Sequence, residues 1–492
     1  MRPLSEISRT VGELARFLGV ESDSRVAFSG LTSSTQFIEA GDLFIALPGL
    51  KQHGANFAKA AESKGAVAIL TDSEGADLIT SDLPVIVVAN PRLHAGEIAS
   101  WFYGAPFRAM HAFGITGTNG KTTTASLLHQ IWRMNSRETG CIGTVGISIG
   151  SEEIPAQFTT PESTELQALA ANMIEKHISH LVMEVSSHAM VQHRMIGAHF
   201  TAVAFTNLTQ DHLDFHGNME SYFNAKAKLF TPEYAELGFV NIDDEYGARL
   251  FSSAQIPVIA ISRTQKSATW HYSKVEPTNG GYEVAIRGGG GVLIEGHLPL
   301  VGAHNLDNAL MAIALAVESG VDPMSIAMDL SRLQGPPGRL EKVVLGQQFL
   351  AVVDYAHTPD AVERVLEAVR EITTGRVIAL LGCGGDRDVS KRPLMGSALV
   401  QGSDLAIMTS DNPRSEDPEA ILSQMVGSQT PGDCLVVEPD RRGAIAIAVS
   451  EAQPGDTVIL LGKGHELGQE IMGVKTPFDD RLELARAIER LA

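Results

Sequence analysis

An α/β fold in three domains is what this sequence predicts, and three observations carry that reading. Short apolar runs alternate with amphipathic stretches of helical period, which is the order of strands and crossover helices. Two clusters of chain breakers divide the chain, and 492 residues at roughly 150 per domain give about three cores. Taken in order, the runs at 42–47, 66–70 and 85–88 read as strands of a first domain, 1–105. The turn Tyr103-Gly104-Ala105-Pro106 then precedes a strand at 112–116, which opens a central domain, 106–335, with a mainly parallel sheet. A helical run at 305–318 and the breakers Gln334-Gly335-Pro336-Pro337-Gly338 close it. In the remaining domain, 336–492, the runs at 349–354, 377–382, 405–409 and 457–462 are almost continuously apolar, as strands covered on both faces must be. Each leads into a polar, glycine-containing turn. Ligands of open α/β sheets sit at the carboxyl ends of strands, so chemistry is expected in those turns.

Composition narrows the functional class. With 44% hydrophobic and 20% charged residues the chain is globular rather than disordered. Lys plus Arg is 38 against 58 Asp plus Glu, a net charge of 38 − 58 = −20, which argues against binding nucleic acid or an anionic membrane. Any phosphate must therefore be held by local geometry. Cys141, Cys383 and Cys434 are distant and odd in number, which excludes a disulfide framework and points to the cytoplasm. No run approaches the roughly 18 apolar residues of a membrane span, and no signal-peptide core follows the start, so no membrane association is expected.

The most specific motif is Gly117-Thr118-Asn119-Gly120-Lys121-Thr122-Thr123, placed between the strand ending at Thr116 and a helical pattern at 124–132. In that context backbone amides and a helix N-terminus cradle phosphate, Lys121 meets the terminal phosphates and Thr122 meets magnesium. Position 115 is Ile, so the loop is a shorter variant of the usual G-x-x-x-x-G-K-T. A second carboxylate-bearing strand end is expected nearby, and the run His180-Leu181-Val182-Met183-Glu184 supplies it, with Glu184 the candidate. The run 205–216 gathers Asp211, His212, Asp214 and His216 into one turn, with His212 a candidate hard-metal ligand or a structural histidine. By spacing alone, Lys226 is a solvated helix lysine.

These motifs, with Gly302-Ala303-His304-Asn305-Leu306-Asp307-Asn308, Gly338-Arg339 and Asp354-Tyr355-Ala356-His357-Thr358-Pro359-Asp360, resemble the Mur ligases, ATP-dependent amide-bond enzymes of cell-wall precursor synthesis. The order matches along nearly the whole chain. Within the family, Gly382-Cys383-Gly384-Gly385-Asp386-Arg387 and Asp411-Asn412-Pro413-Arg414 are similar to the members that add a diamino acid.

The resemblance implies an N-terminal α/β domain for the uridine nucleotide, a central P-loop ATPase and a C-terminal Rossmann-like domain for the amino acid. It implies a monomer that takes UDP-N-acetylmuramoyl-L-Ala-D-Glu, meso-2,6-diaminopimelate and ATP, with two Mg2+ ions. It assigns Lys121, Glu184, His212 and Lys226 to catalysis. Thr122, Glu184, His212 and Lys226 would be the magnesium ligands, the lysine as a carbamate made from carbon dioxide. Gly117 to Thr123, Asn305, Arg339, Asp354 and His357 are implied nucleotide contacts. For the nucleotide sugar it implies Ser33, Thr35, Leu50, Lys51, Gln52, Thr159, Thr160, Ser186, Gln192 and Arg194. For diaminopimelate it implies Arg387, Asp411, Asn412, Pro413, Arg414, Gly462 and Glu466, with Arg414 on the distal carboxylate and Glu466 on the distal amine.

The chain departs from the family at Ser34-Thr35-Gln36, usually Asp-Ser-Arg, and at Phe158-Thr159-Thr160, usually Asn-Thr-Thr. Alternatives are an L-lysine-adding ligase of the same family, a ligase like folylpolyglutamate synthetase, and a P-loop ATP-binding regulator or kinase. Arg414 would be a surface salt bridge to Glu416 or Asp417 on the plainest reading.

Overall fold

The computed structural model describes residues 2–49, 52–278 and 280–491. Leu50 and Lys51, implied in nucleotide-sugar binding, lie outside the described residues. The chain forms two compact units, Met1–Thr269 with Ala314–Gly320, and Trp270–Ile313 with Val321–Ala492.

Besides the antiparallel pair Arg9–Thr10 with Ala27–Phe28, the first unit contains two larger sheets. One is four-stranded and parallel, running Gly30–Thr32, Asp42–Ile45, Ala68–Thr71, Val85–Val87 in sequence order. Its two middle strands are buried at every residue, which is why they read as apolar runs rather than alternations. Helices Val11–Leu18 and Pro91–Phe102 bring Leu14, Ile98 and Phe102 onto Leu31, Leu43 and Leu70. The first of these helices has a defined start. Thr10 accepts from the Glu13 amide, while the Glu13 carboxylate accepts from the Thr10 amide at 2.7 Å, and Gly19 at φ 70° ends the helix.

In the second sheet of this unit, the strands lie in the order Glu152–Ile154, Ile147–Ile149, Thr139–Ile142, His180–Glu184, His111–Thr116, Phe200–Phe205, Ala235–Asn241, Val258–Ser262. The last six are parallel, and an antiparallel hairpin forms the first edge. Register pairs Glu184 with Ile115 and Phe205 with Thr116, so the phosphate loop, Glu184 and the run from Thr206 leave neighbouring strands at one edge. The helix after the loop begins at Lys121, three residues before the expected pattern, because Gly120 rather than a polar side chain caps it. The turn at 206–216 contains one short helix, Leu213–His216.

The second unit has an antiparallel ladder, Trp270–Thr278, Gly281–Arg287, Leu293–Leu298, and a six-stranded sheet. In that sheet Glu341–Lys342 is an antiparallel edge on the parallel strands Leu350–Asp354, Thr457–Leu461, Val377–Cys383, Leu405–Ser410 and Leu435–Val437. Helices cover both faces, one core containing Val352, Val365, Leu399 and Met408, the other Ile378, Leu380, Ile445 and Leu484. The order is out of sequence, so Thr457–Leu461 separates two earlier strands and its following loop meets theirs. Among the described residues no helix is long and apolar enough to cross a membrane.

Candidate active site

The phosphate loop is held by its neighbours rather than by its own sequence alone. Gly117 has φ 147°, and a Cβ there would stand 1.9 Å from Thr206 Oγ1, so only glycine fits. Thr206 Oγ1 donates to Asn119 O at 2.6 Å, and the Asn119 amide donates to Asn207 Oδ1 at 2.9 Å. Thr118 Oγ1 donates to Thr209 O at 3.1 Å. The polar run after Phe205 therefore frames the loop. Lys121 Nζ donates to Gly117 O at 3.0 Å and Thr118 O at 2.9 Å, which arches the lysine back over the loop.

Thr122, first in the helix after Lys121, donates through Oγ1 to Glu184 Oε2 at 3.0 Å. Glu184 is buried, and its Oε1 also accepts from the Thr144 amide at 2.8 Å. Thr144 Oγ1 adds a contact to Oε2 at 3.2 Å, and a Cβ on Gly143 would lie 2.3 Å from Oε1. Sequence reasoning missed Thr144. Its only signal is its place in a Gly143-Thr144-Val145-Gly146 turn after the strand Thr139–Ile142 at the same sheet edge.

Lys226 corrects the expectation from spacing. It is 1% exposed, donates from Nζ to Gly117 O at 2.7 Å, and lies 4.7 Å from the Tyr222 ring centre. Burial, with the Lys121 charge nearby, holds its amine well below the ordinary lysine value. Spacing on the helix Met219–Ala227 could not reveal this, because a weakly amphipathic helix hides which face is covered.

His212 takes φ 52°, lies 3.4 Å from Asp211 Oδ2 and packs its ring 4.8 Å from that of His188. His188 also stacks on Phe215 at 4.1 Å, and His216 Nε2 is 2.9 Å from Ser187 Oγ. Burial lowers the pKa of both His188 and His216. Among the described residues no group of three His, Cys, Asp or Glu converges as a ready metal cage. The oxygen donors of Thr122 and Glu184 nevertheless fit a hard divalent cation that keeps waters and phosphate oxygens in its shell. A buried, neutral-leaning amine whose hydrogen-bond acceptor is a carbonyl suits carbamate formation.

A polar cluster lies along the same unit. Thr160 Oγ1 donates to Glu184 O at 2.9 Å and to Ser186 Oγ at 3.3 Å. Arg194 donates to Thr160 O at 2.8 Å and Gln192 Oε1 at 2.6 Å, and pairs with Glu162 at 3.0 Å. Thr159 Oγ1 is 3.0 Å from Thr144 Oγ1. The structure thus brings Thr159, Thr160, Ser186, Gln192 and Arg194 together beside Glu184. Phe158, where the family has Asn, lies 5.0 Å from the Arg194 guanidinium. Ser33 Oγ is 3.4 Å from Thr164 Oγ1, while Thr35 uses its carbonyl to accept from Lys64 at 2.6 Å. Gln52 is exposed.

In the second unit, Asp354 is buried at a strand end and accepts from the Leu340 amide at 2.8 Å and the Ala356 amide at 2.7 Å. Burial raises its pKa. The Arg339 guanidinium lies 5.0 Å from the Tyr355 ring centre, and Tyr355 packs on His357 and His465 at 4.6 and 5.1 Å. Arg339 Nε and His465 Nδ1 are buried without hydrogen-bond partners among the described residues. Asn305 donates to Val301 O at 2.8 Å and accepts from Asn308 at 3.0 Å, a satisfied position inside its helix.

Arg414 donates through Nη1 to Gly385 O at 2.6 Å, and its amide donates to Glu470 O at 2.9 Å. It is not the surface salt bridge of the plainest reading. Glu416 is forked instead by Arg392 at 2.8 Å from both Nη atoms. Asp411 and Asn412 are buried beside it, Asn412 Nδ2 donates to Glu466 Oε2 at 2.7 Å, and Gly462 at φ 105° approaches Asp411 Oδ2. Pro413 stacks its backbone against Gly385, where a Cβ would meet Pro413 O at 1.9 Å. Arg387 is exposed on the neighbouring turn.

Three family models match: the Mur ligase family catalytic domain at 27–103, the Mur ligase middle domain at 115–316, and the Mur ligase glutamate ligase domain at 338–464. The chain is 47% identical to the UDP-N-acetylmuramoyl-L-alanyl-D-glutamate--2,6-diaminopimelate ligase of Streptomyces coelicolor, over 99% of this chain and 98% of that protein. It is 41% identical to the ligase of the same name from Geobacillus thermodenitrificans, over 93% and 94%. A solved structure of a ligase with this name superposes at TM-score 0.73 with 32% identity, covering 99% of each chain. Matched by three models of one family and similar to its members along its whole length, the chain belongs to the Mur ligase family.

Proposed function

We propose that this protein adds meso-2,6-diaminopimelate to the D-Glu γ-carboxylate of UDP-N-acetylmuramoyl-L-Ala-D-Glu, with ATP cleaved to ADP and phosphate. The observation that carries the reading is identity of 47% over 99% of the chain with a ligase bearing that name. The phosphate loop with Thr122 on Glu184, and the turn of Asp411 to Arg414 with Asn412 bonded to Glu466, agree with it. Domains at 1–105, 106–335 and 336–492, with the cytoplasm as the compartment, complete the proposal. Family matches at 27–103, 115–316 and 338–464 and three free cysteines support those parts.

The chemistry follows from the groups available. Loop amides and Lys121 would bind the β- and γ-phosphates, with Asn305, Arg339, Asp354 and His357 as further nucleotide contacts. Thr122 and Glu184 would hold one Mg2+, and Glu184, His212 and a carbamate on Lys226 a second. When bound, these ions neutralise charge on the γ-phosphate and make its phosphorus more electrophilic. A γ-carboxylate oxygen of the substrate attacks that phosphorus as the bond to ADP breaks, giving an acyl phosphate. The diamino acid's amine then attacks the acyl carbon, a C–N bond forms, phosphate leaves with the C–O electron pair, and the nitrogen loses a proton. Activation is needed because a free carboxylate is a poor electrophile. The carbamate arises by attack of neutral Lys226 Nζ on carbon dioxide with loss of one proton, turning a neutral amine into an anionic oxygen donor.

Ser33, Thr35, Gln52, Thr159, Thr160, Ser186, Gln192 and Arg194 would bind the nucleotide sugar, and Arg387, Asp411 to Arg414, Gly462 and Glu466 the amino acid. Purified protein with ATP, Mg2+ and UDP-muramyl dipeptide tests the proposal by comparing diaminopimelate with lysine. Phosphate release that needs both carbon substrates, and a strong preference for diaminopimelate, are expected. Equal use of lysine, or release without either substrate, would overturn it.

A further inference from the structure

Lys463 lies on the loop after the strand Thr457–Leu461 and is fully buried. Gly462 at φ 105° and Gly464 at φ 52° flank it, and this left-handed pair turns the loop sharply around the lysine. An ammonium has three donors, and here each has an acceptor: Gly468 O at 2.7 Å, Glu466 Oε2 at 3.2 Å and Asn412 Oδ1 at 3.4 Å. Asn412 Nδ2 donates to the same Glu466 oxygen at 2.7 Å, and Asn412 Oδ1 also accepts from the Glu470 amide at 3.0 Å. Glu466 therefore has two donors on Oε2. Among the described residues no donor meets its Oε1, and its side chain is 34% exposed. The same lysine reaches the start of the hairpin strand Gly468–Ile471, whose Gln469 holds Asp411 O at 2.8 Å and whose Glu470 O accepts from the Arg414 amide at 2.9 Å.

We propose that Lys463 is a positioning residue for amino-acid selection, which pins Glu466 through Oε2 and leaves Oε1 presented to the distal amine of the diamino acid. It acts through Glu466 and has no donor left for the substrate. A charge-assisted pair to a fully buried lysine fixes the carboxylate's orientation toward an incoming ammonium. The inference rests on the assignment of Glu466 to that amine, and the test separates the two.

The test compares kcat/KM for meso-diaminopimelate and L-2-aminopimelate, which retains the reacting amine and the distal carboxylate but lacks the distal amine. Five proteins are needed: the unaltered chain, Glu466→Gln, Lys463→Met, Lys463→Gln and the double variant of Lys463→Met with Glu466→Gln. The unaltered chain is expected to prefer diaminopimelate by roughly tenfold or more, the loss typical of a buried charge-assisted hydrogen bond. Lys463→Met should compress that ratio toward unity while KM for ATP stays unchanged. The double variant with Glu466→Gln should discriminate no less than Glu466→Gln alone. Lys463→Gln, which keeps a neutral donor at similar length, should recover an intermediate ratio and carries the comparison if the methionine variant does not fold. An unaltered chain that fails to discriminate refutes the role of Glu466. Discrimination intact in Lys463→Met or Lys463→Gln, with both substrates slowed alike, leaves Glu466 in place and overturns the role of Lys463.

Discussion

Arg414→Ala is the substitution whose effect the structure lets one work out most directly. Both residues would sit at φ 52°, so the cost of about 1 kcal/mol for a left-handed residue is common to both and cancels. The backbone bond to Glu470 O is kept. What disappears is a guanidinium with five donors, of which one serves Gly385 O at 2.6 Å. A fork for a distal carboxylate remains among the others. Each charge-assisted hydrogen bond contributes about 1.5–3 kcal/mol, and about 1.4 kcal/mol is a factor of ten, so losing even one lowers diaminopimelate kcat/KM by roughly tenfold to a few-hundredfold. Lysine has no distal carboxylate, so its slower use should change little. Arg414→Lys should fall between, since an ammonium keeps charge but not the planar fork. Steady-state rates with each amino acid at saturating ATP and nucleotide sugar measure this. Equal losses for diaminopimelate and lysine, or a parallel rise in KM for ATP, would refute the reasoning.

Lys226→Ala should abolish turnover without unfolding, with partial recovery in short carboxylic acids, and native mass spectrometry should find carbon dioxide on the unaltered chain alone. A free amine in saturating bicarbonate would count against the carbamate. Glu184→Gln should lower kcat by about a hundredfold or more, and Mg2+ titration of the rate should show weakened metal dependence. Arg441 and Asp480 are fully buried and forked at 2.7 and 2.6 Å, so Arg441→Met should cost about 3–5 kcal/mol, with much of it recovered by adding Asp480→Leu; denaturant midpoints decide it. Burial holds His129 and His180 at about 4, below 6.5 in the unfolded chain. With their folded values depressed, the neutral forms stabilise the fold fully above 6.5, and that stability is lost as pH falls through about 4. His129→Gln should flatten part of that acid limb in thermal melts.

Much of the architecture was legible because local rules and tertiary packing agree. The strands at 42–47, 377–382 and 457–462 appear where buried parallel strands must be apolar at every residue, and the structure places them there within two residues. Gly117 and Gly120 announce a phosphate loop because only glycine takes their backbone angles. Those constraints are written one residue at a time. Lys226 is different: its helix lacks a clear apolar stripe, and its burial follows from the phosphate loop folding over it, more than a hundred positions earlier in sequence. Thr144 likewise gains meaning only from Glu184, forty positions away on an adjacent strand. Lys463 and Glu466 are near neighbours, but the contact to Asn412 that fixes them comes from a strand order that inserts the late strand Thr457–Leu461 between earlier ones. Sequence alone determined the strands, the glycine turns and the charged residues available at their ends. Tertiary structure decided which of those charges lost their water and which partners replaced it, because desolvation depends on segments that meet only when the sheet assembles.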